Sequence, residues 1–137
     1  MNQRVSYNRK MPLTSDCLNK TYINRCNTCQ PAASYGIVDI VKDYCSTNIL
    51  KYSDWIDCAS LNKYYYFVKN LGYSDVEAYI EISPDKKLVY TDSDKIVIKS
   101  CEVSYFQPLR ESRYIRFSYR SISPEGVNLI TSWFQAK

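Results

Sequence analysis

Residues 37–45, Ile-Val-Asp-Ile-Val-Lys-Asp-Tyr-Cys, decide the fold class. Ile37, Ile40, Val41, Tyr44 and Cys45 recur at i, i+3, i+4, i+7 and i+8, with Asp39, Lys42 and Asp43 between them. That spacing predicts an amphipathic helix over 35–46. A second helix is expected to start at Ser53 or Asp54 as N-cap and to run through Trp55, Ile56, Ala59, Tyr65, Tyr66 and Val68 to Leu71, where Gly72 is a C-terminal stop. The consecutive Tyr64, Tyr65 and Tyr66 cannot all face its core side.

Segment 74–82 fits two patterns. Ser74 and Glu77 have capping-box spacing, yet Val76, Ala78, Ile80 and Ile82 alternate with Glu77, Tyr79 and Glu81 as in a half-buried strand. The helical reading is preferred. Beyond Pro84 the β signal is clear in Lys87–Tyr90, Lys95–Phe106, Arg113–Ile122 and Val127–Ala136, which are separated by turn-forming residues. The expectation is an α+β fold: an irregular basic segment 1–34, then a single domain over 35–137, helical in 35–82 and sheet in 86–136. The helices would cover one face of a curved antiparallel sheet of three or four strands. Its expected core is Ile37, Ile40, Val41, Ile56, Ala59, Val68, Leu71, Val97, Val103, Ile115, Phe117 and Trp133. Alternation in 114–120 turns Ile115, Phe117 and Tyr119 inward and leaves Tyr114, Arg116, Ser118 and Arg120 outside.

Composition narrows the function. The 137 residues contain no histidine, the side chain best suited to proton transfer at neutral pH. No nucleophile with an activating base is evident, so the chain reads as non-enzymatic. Asp92 and Asp94 lack a third ligand or a Gly-bearing loop for a cation. The net charge of +4 is too small to signal nucleic acid without clustering. Fourteen tyrosines against four phenylalanines suit a protein-contact surface, since each ring buries apolar area while its hydroxyl seeks a partner. No stretch is apolar enough to span a bilayer, and MNQRVSYNRKMPLTSD lacks a signal-peptide core, so the chain as given reads as soluble.

Six cysteines are the sharpest candidates for chemistry. Cys26-Asn-Thr-Cys29 has the gap common in zinc sites. Without histidine a zinc ion would need two more thiolates from Cys17, Cys45 and Cys58, the set Cys17, Cys26, Cys29 and Cys58 being the expected one. The preferred reading is free thiols, with no metal, no cofactor and no essential disulfide, and with Cys101 as plain core. Arg110, Arg113, Arg116 and Arg120 interleave with Tyr114 and Tyr119, which admits a nucleic-acid face. An ordinary solvated sheet face is the simpler account. Candidate partner-binding residues are therefore Tyr64, Arg113, Tyr114, Arg116 and Arg120.

The stretches Lys63-Tyr-Tyr-Tyr-Phe-Val-Lys, Val76-Glu-Ala-Tyr79, Lys95-Ile-Val-Ile-Lys-Ser100, Arg113-Tyr-Ile-Arg-Phe-Ser118 and Ile130-Thr-Ser-Trp-Phe-Gln-Ala-Lys137 follow one another in a familiar order. In them the chain resembles the periplasmic domain of the type IV secretion inner-membrane scaffold subunit. The resemblance implies a nuclear-transport-factor-2-like cone, a periplasmic location and a non-enzymatic assembly component that self-associates. The expected function is a protein-interaction or assembly module; a viral or host-directed interaction protein and a nucleic-acid-binding domain are the alternatives.

Overall fold

The computed structural model describes residues 38–137. Among them there are ten strands and no helix: β1 Val38–Ser46, β2 Lys51–Tyr52, β3 Ile56–Asp57, β4 Tyr64–Asn70, β5 Val76–Ser83, β6 Tyr90–Thr91, β7 Ile96–Ile98, β8 Val103–Phe106, β9 Tyr114–Ser121 and β10 Asn128–Ala136. All pairings are antiparallel. One sheet has the order β1-β10-β4-β8. The other has the order β2-β9-β5-β6, with β3 also on β9 and β7 also on β5. The α+β expectation is overturned, and with it the cone of helices on a curved sheet. The expected irregular segment 1–34 and Ile37 lie outside the described residues.

The two sheets close on one core. Tyr66, Val68, Ile130 and Phe134 from the four-stranded sheet meet Val76, Ile80, Ile98, Ile115 and Phe117 from the other. Phe117 is fully buried, and the rings of Tyr66 and Tyr44 reach it across the interface at centroid distances of 5.2 and 5.6 Å, both edge-on. Edge-to-face pairs of this kind add about 0.5–1.5 kcal/mol each beyond burial. The expected core holds at Val68, Leu71, Ile115 and Phe117, while Ile40 and Ile56 pack at its margin. Val41, Ala59, Val97 and Val103 are exposed, and Trp133 points away from the core to donate from Nε1 to Asp39 Oδ1 at 2.7 Å.

Physical reasons account for each correction. In β1 the inward set is Val38, Ile40 and Tyr44, but the outward Cys45 is buried too. Apolar residues on both faces of a strand imitate helical spacing. In β4 strict alternation buries Tyr64, Tyr66, Val68 and Asn70 and turns Tyr65, Phe67 and Lys69 outward. The strand alternative for 74–82 is the one realised, with Val76, Ala78, Ile80 and Ile82 in the core. The long expected strand 95–106 is two strands in different sheets: β7 pairs with β5 and β8 with β4. The chain crosses between them at Cys101, whose φ of 66° marks the left-handed turn.

Candidate partner-binding face

Antiparallel register builds this face. Glu77 stands opposite Arg120 and Glu81 opposite Arg116, all pointing away from the core. Opposite charges directly across a ladder attract. Arg116 Nε donates to Glu81 Oε1 at 2.8 Å, and Arg120 Nε to Glu77 Oε1 at 2.9 Å. The first pair is the more enclosed, with side chains 17% and 9% exposed.

A bulge completes the arrangement. Tyr52 pairs with Ser118 and Ile56 with Ile115, so this edge segment carries one residue more than β9 over the same span. Ser53 fills the gap: its N–H donates to the Phe117 carbonyl and its hydroxyl accepts from the Phe117 N–H, both at 2.9 Å. Odd spacing would otherwise send Tyr52 and Trp55 to opposite faces; the extra residue brings them to the same one. The Arg116 guanidinium lies between them, 3.9 Å from the Tyr52 ring centroid and 4.2 Å from that of Trp55.

The cluster continues through Tyr114. Its ring meets Trp55 at 6.5 Å, with the Lys86 ammonium 4.9 Å away and the Arg113 guanidinium 5.1 Å away. Arg113 also holds Asp57, donating from Nη2 to Oδ2 at 3.0 Å. This contact with Arg113, with help from the Ala59 N–H, keeps the Asp57 carboxyl below its ordinary range. Arg110 reaches the fully buried carboxylate of Asp92 at 3.1 Å. Asp92 also accepts from the Leu109 N–H at 2.5 Å, so it anchors a loop. Asp94 is exposed.

The structure brings Arg113, Tyr114, Arg116 and Arg120 onto one face. It places Tyr64 elsewhere: that side chain is buried and its ring stacks on Phe134 at 6.0 Å. Tyr52, Trp55, Asp57, Glu77 and Glu81 are the members that sequence reasoning missed. Glu77/Glu81 and Arg116/Arg120 share a four-residue spacing, and that match was the available signal.

The cysteines divide. Cys45 and Cys101 are disulfide-bonded, which overturns the free-thiol reading for both, and Cys101 is exposed rather than core. Cys58 is a buried free thiol, pushed up to about 12 mainly by burial and further by the charge of Asp57. It borders a cleft with Ala59, Leu61, Tyr64, Glu111, Ser112 and Arg113, but a thiol held protonated is no nucleophile. Among the described residues no three metal-ligating side chains converge. Cys17, Cys26 and Cys29 of the expected zinc set lie outside the described residues. No helix among the described residues is long and apolar enough to cross a membrane.

Among solved structures the fold is similar to that of the PBSX exported protein XepA, at 12% identity and a TM-score of 0.58, over 78% of this chain and 40% of that one. The chain thus spans less than half the length of that protein, and the likeness is one of fold. No curated protein matches the sequence. The family model described as Domain of unknown function (DUF6385) matches residues 57–137, from β3 through the last strand, and the chain belongs to that family.

Proposed function

We propose that this domain is a non-enzymatic protein-binding module whose contact surface is the outer face of the six-stranded sheet. The observation that carries the reading is the Arg116 clamp. Tyr, Trp and Arg are the residues that dominate binding hot spots, and here stacking and an ion pair fix them before any partner arrives. Tyr52 remains 44% exposed and available for contact.

The same ion pairs argue against nucleic acid. Arg110, Arg113, Arg116 and Arg120 are committed to Asp92, Asp57, Glu81 and Glu77, so the face offers little uncompensated positive charge to phosphate. The partner is a second copy of the chain or another subunit of an assembly. Sedimentation velocity over a concentration series tests this, with Tyr52→Ala and Trp55→Ala beside the wild type. Concentration-dependent association that both variants weaken supports the reading. Salt-sensitive binding of a single-stranded oligonucleotide, or turnover in a hydrolase screen, would overturn it.

A second reading concerns compartment. The disulfide-bonded Cys45 and Cys101 support an oxidising environment, in line with the exported character of XepA. Cell fractionation that recovered the protein from a reducing cytoplasm, with both thiols open to alkylation, would count against it.

A further inference from the structure

We infer that the cleft between the two sheets at the β1 edge is a binding site for a small, uncharged ligand built on one aromatic ring with a hydroxyl group, a phenol. The inference stands apart from the proposed protein contact, which uses the outer face of one sheet rather than the gap between the two.

Both sheets supply the walls. Ile40 and Tyr44 of β1, Tyr66 of β4 and Phe134 of β10 meet Trp55 and Ile56 from the edge segment of the other sheet. Between Ile40 and Tyr44, on the same side of β1, stands Lys42. A lysine turned inward on an edge strand keeps its ammonium in water, and the gap beneath it stays unsealed. Lys42 pairs with Asp54 at the mouth, where both side chains are half exposed or more.

Size and charge select the ligand. The cleft has a volume of about 150 Å³. Sites for drug-sized molecules start at roughly 300 Å³, whereas an apolar space of about 150 Å³ suffices for one benzene ring. The rings of Tyr44, Trp55, Tyr66 and Phe134 suit an aromatic guest. Lys42 and Asp54 already neutralise each other, and burial holds the Tyr44 phenol up at about 12 and raises that of Tyr66, so no counter-ion is left for a charged ring.

One polar group inside calls for the ligand's hydroxyl. Tyr66 is 2% exposed, and among the described residues its own hydroxyl has no hydrogen-bond partner. The hydroxyls around it are engaged: that of Tyr44 accepts from the Asp54 N–H at 3.4 Å, that of Ser132 donates to the Lys42 carbonyl at 3.2 Å, and that of Ser53 donates to the Asp54 carbonyl and accepts from the Phe117 N–H. Ser53, Tyr44 and Asp54 are among the groups that act on the Tyr66 phenol, which puts its oxygen at the Asp54 end of the cleft. A buried hydroxyl left unpaired is costly, and a guest that pairs with it recovers that cost on binding. The oxygen is closed to solvent, so entry requires the exposed Lys42 and Asp54 side chains to part.

The test is fluorine NMR on the full chain with a concentration series of 4-fluorophenol and, separately, of fluorobenzene, which lacks the hydroxyl. Saturable binding of 4-fluorophenol is expected below about 10 mM, a range open to so small a ligand. Backbone amide shifts should move at Ile40, Lys42, Tyr66 and Phe134. Tyr66→Phe deletes the unpaired hydroxyl and keeps the ring, so the sheet should persist, as circular dichroism checks. In that variant the preference for 4-fluorophenol over fluorobenzene should fall about tenfold. Absence of saturation, an unchanged preference in Tyr66→Phe, or amide shifts confined to the outer face around Arg116 would each overturn the site.

Discussion

Gly72 lies so close to Asn128 that a β-carbon at position 72 would stand 1.8 Å from Asn128 Oδ1 and 2.6 Å from its Cβ. The contact sits in a buried polar network at one end of the sandwich. Asn70 Oδ1 accepts from the Gly72 N–H at 2.8 Å, and Asn128 Oδ1 accepts from the Ser74 N–H at 3.1 Å. Asn128 Nδ2 donates to Ser121 Oγ, which contacts Ser46 Oγ at 2.7 Å. The φ of Gly72 is not positive, so the demand for glycine is purely steric. Gly72→Ala should cost about 2–3 kcal/mol, the upper range for overpacking, because the obstructing atoms are themselves hydrogen-bonded. Chemical denaturation checks this, and a cost no larger than that of an exposed Gly→Ala change would refute it.

The Arg116–Glu81 pair should behave differently from its neighbours. Removing Arg116 leaves Glu81 enclosed without its cation and strips the contact between Tyr52 and Trp55. Arg116→Ala should therefore cost about 3 kcal/mol, the scale for breaking an enclosed ion pair. Arg120→Ala should cost about 1 kcal/mol, since that guanidinium is 41% exposed. A double-mutant cycle with Glu81→Ala should recover much of the Arg116 cost, and additivity would show that the pair is not coupled.

The legible part of the fold is where one face meets the core and the other meets water. Residues 113–122 and 127–136 were both read as strands, and Ile115, Phe117 and Tyr119 do face inward, although Ser118 on the other face of β9 is buried as well. The misread part is where both faces of a strand carry residues withdrawn from solvent, as with the partly buried Ile40 and the buried Cys45 in β1, or where turns divide a β-rich run, as at Cys101. Arg116 and Arg120 were visible because arginine on the outer side of a strand needs only local alternation, whereas Arg113 precedes β9 and joins the face through Asp57 and Tyr114. Glu77, Glu81, Tyr52 and Trp55 join them through non-local pairing and a bulge, and no local pattern encodes either.

Cys58 should be inert in the folded protein. Its thiol rises from an ordinary value of 9.0 to about 12, so the thiolate fraction falls roughly a thousandfold. A maleimide-type reagent should label it only as fast as the domain opens, and denaturant should bring the rate to that of a free cysteine. Fast labelling of Cys58 in the native state would show that the cleft beside Tyr64 and Arg113 is open to reagents and would revive the thiol as a reactive group.

Alkali should unfold this domain through its tyrosines. Burial pushes the Tyr44 phenol from 10.0 up to about 12, and Tyr66 and Tyr119 are raised by the same cause. An unfolded tyrosine ionises near its ordinary value while the folded one keeps its proton. In that interval the unfolded state binds fewer protons, and stability falls as pH rises. The stabilisation is fully present below pH 10 and is lost between 10 and 12 for Tyr44, with Cys58 beginning the same decline from 9.0. The melting temperature should hold level up to about pH 9 and then drop steeply, with tyrosinate absorbance from the buried rings appearing together with loss of the sheet signal. Tyr44→Phe should make the drop shallower, because one suppressed ionisation is gone. Ordinary titration of every tyrosine while the sheet signal persists would mean that the rings around Phe117 are open to solvent.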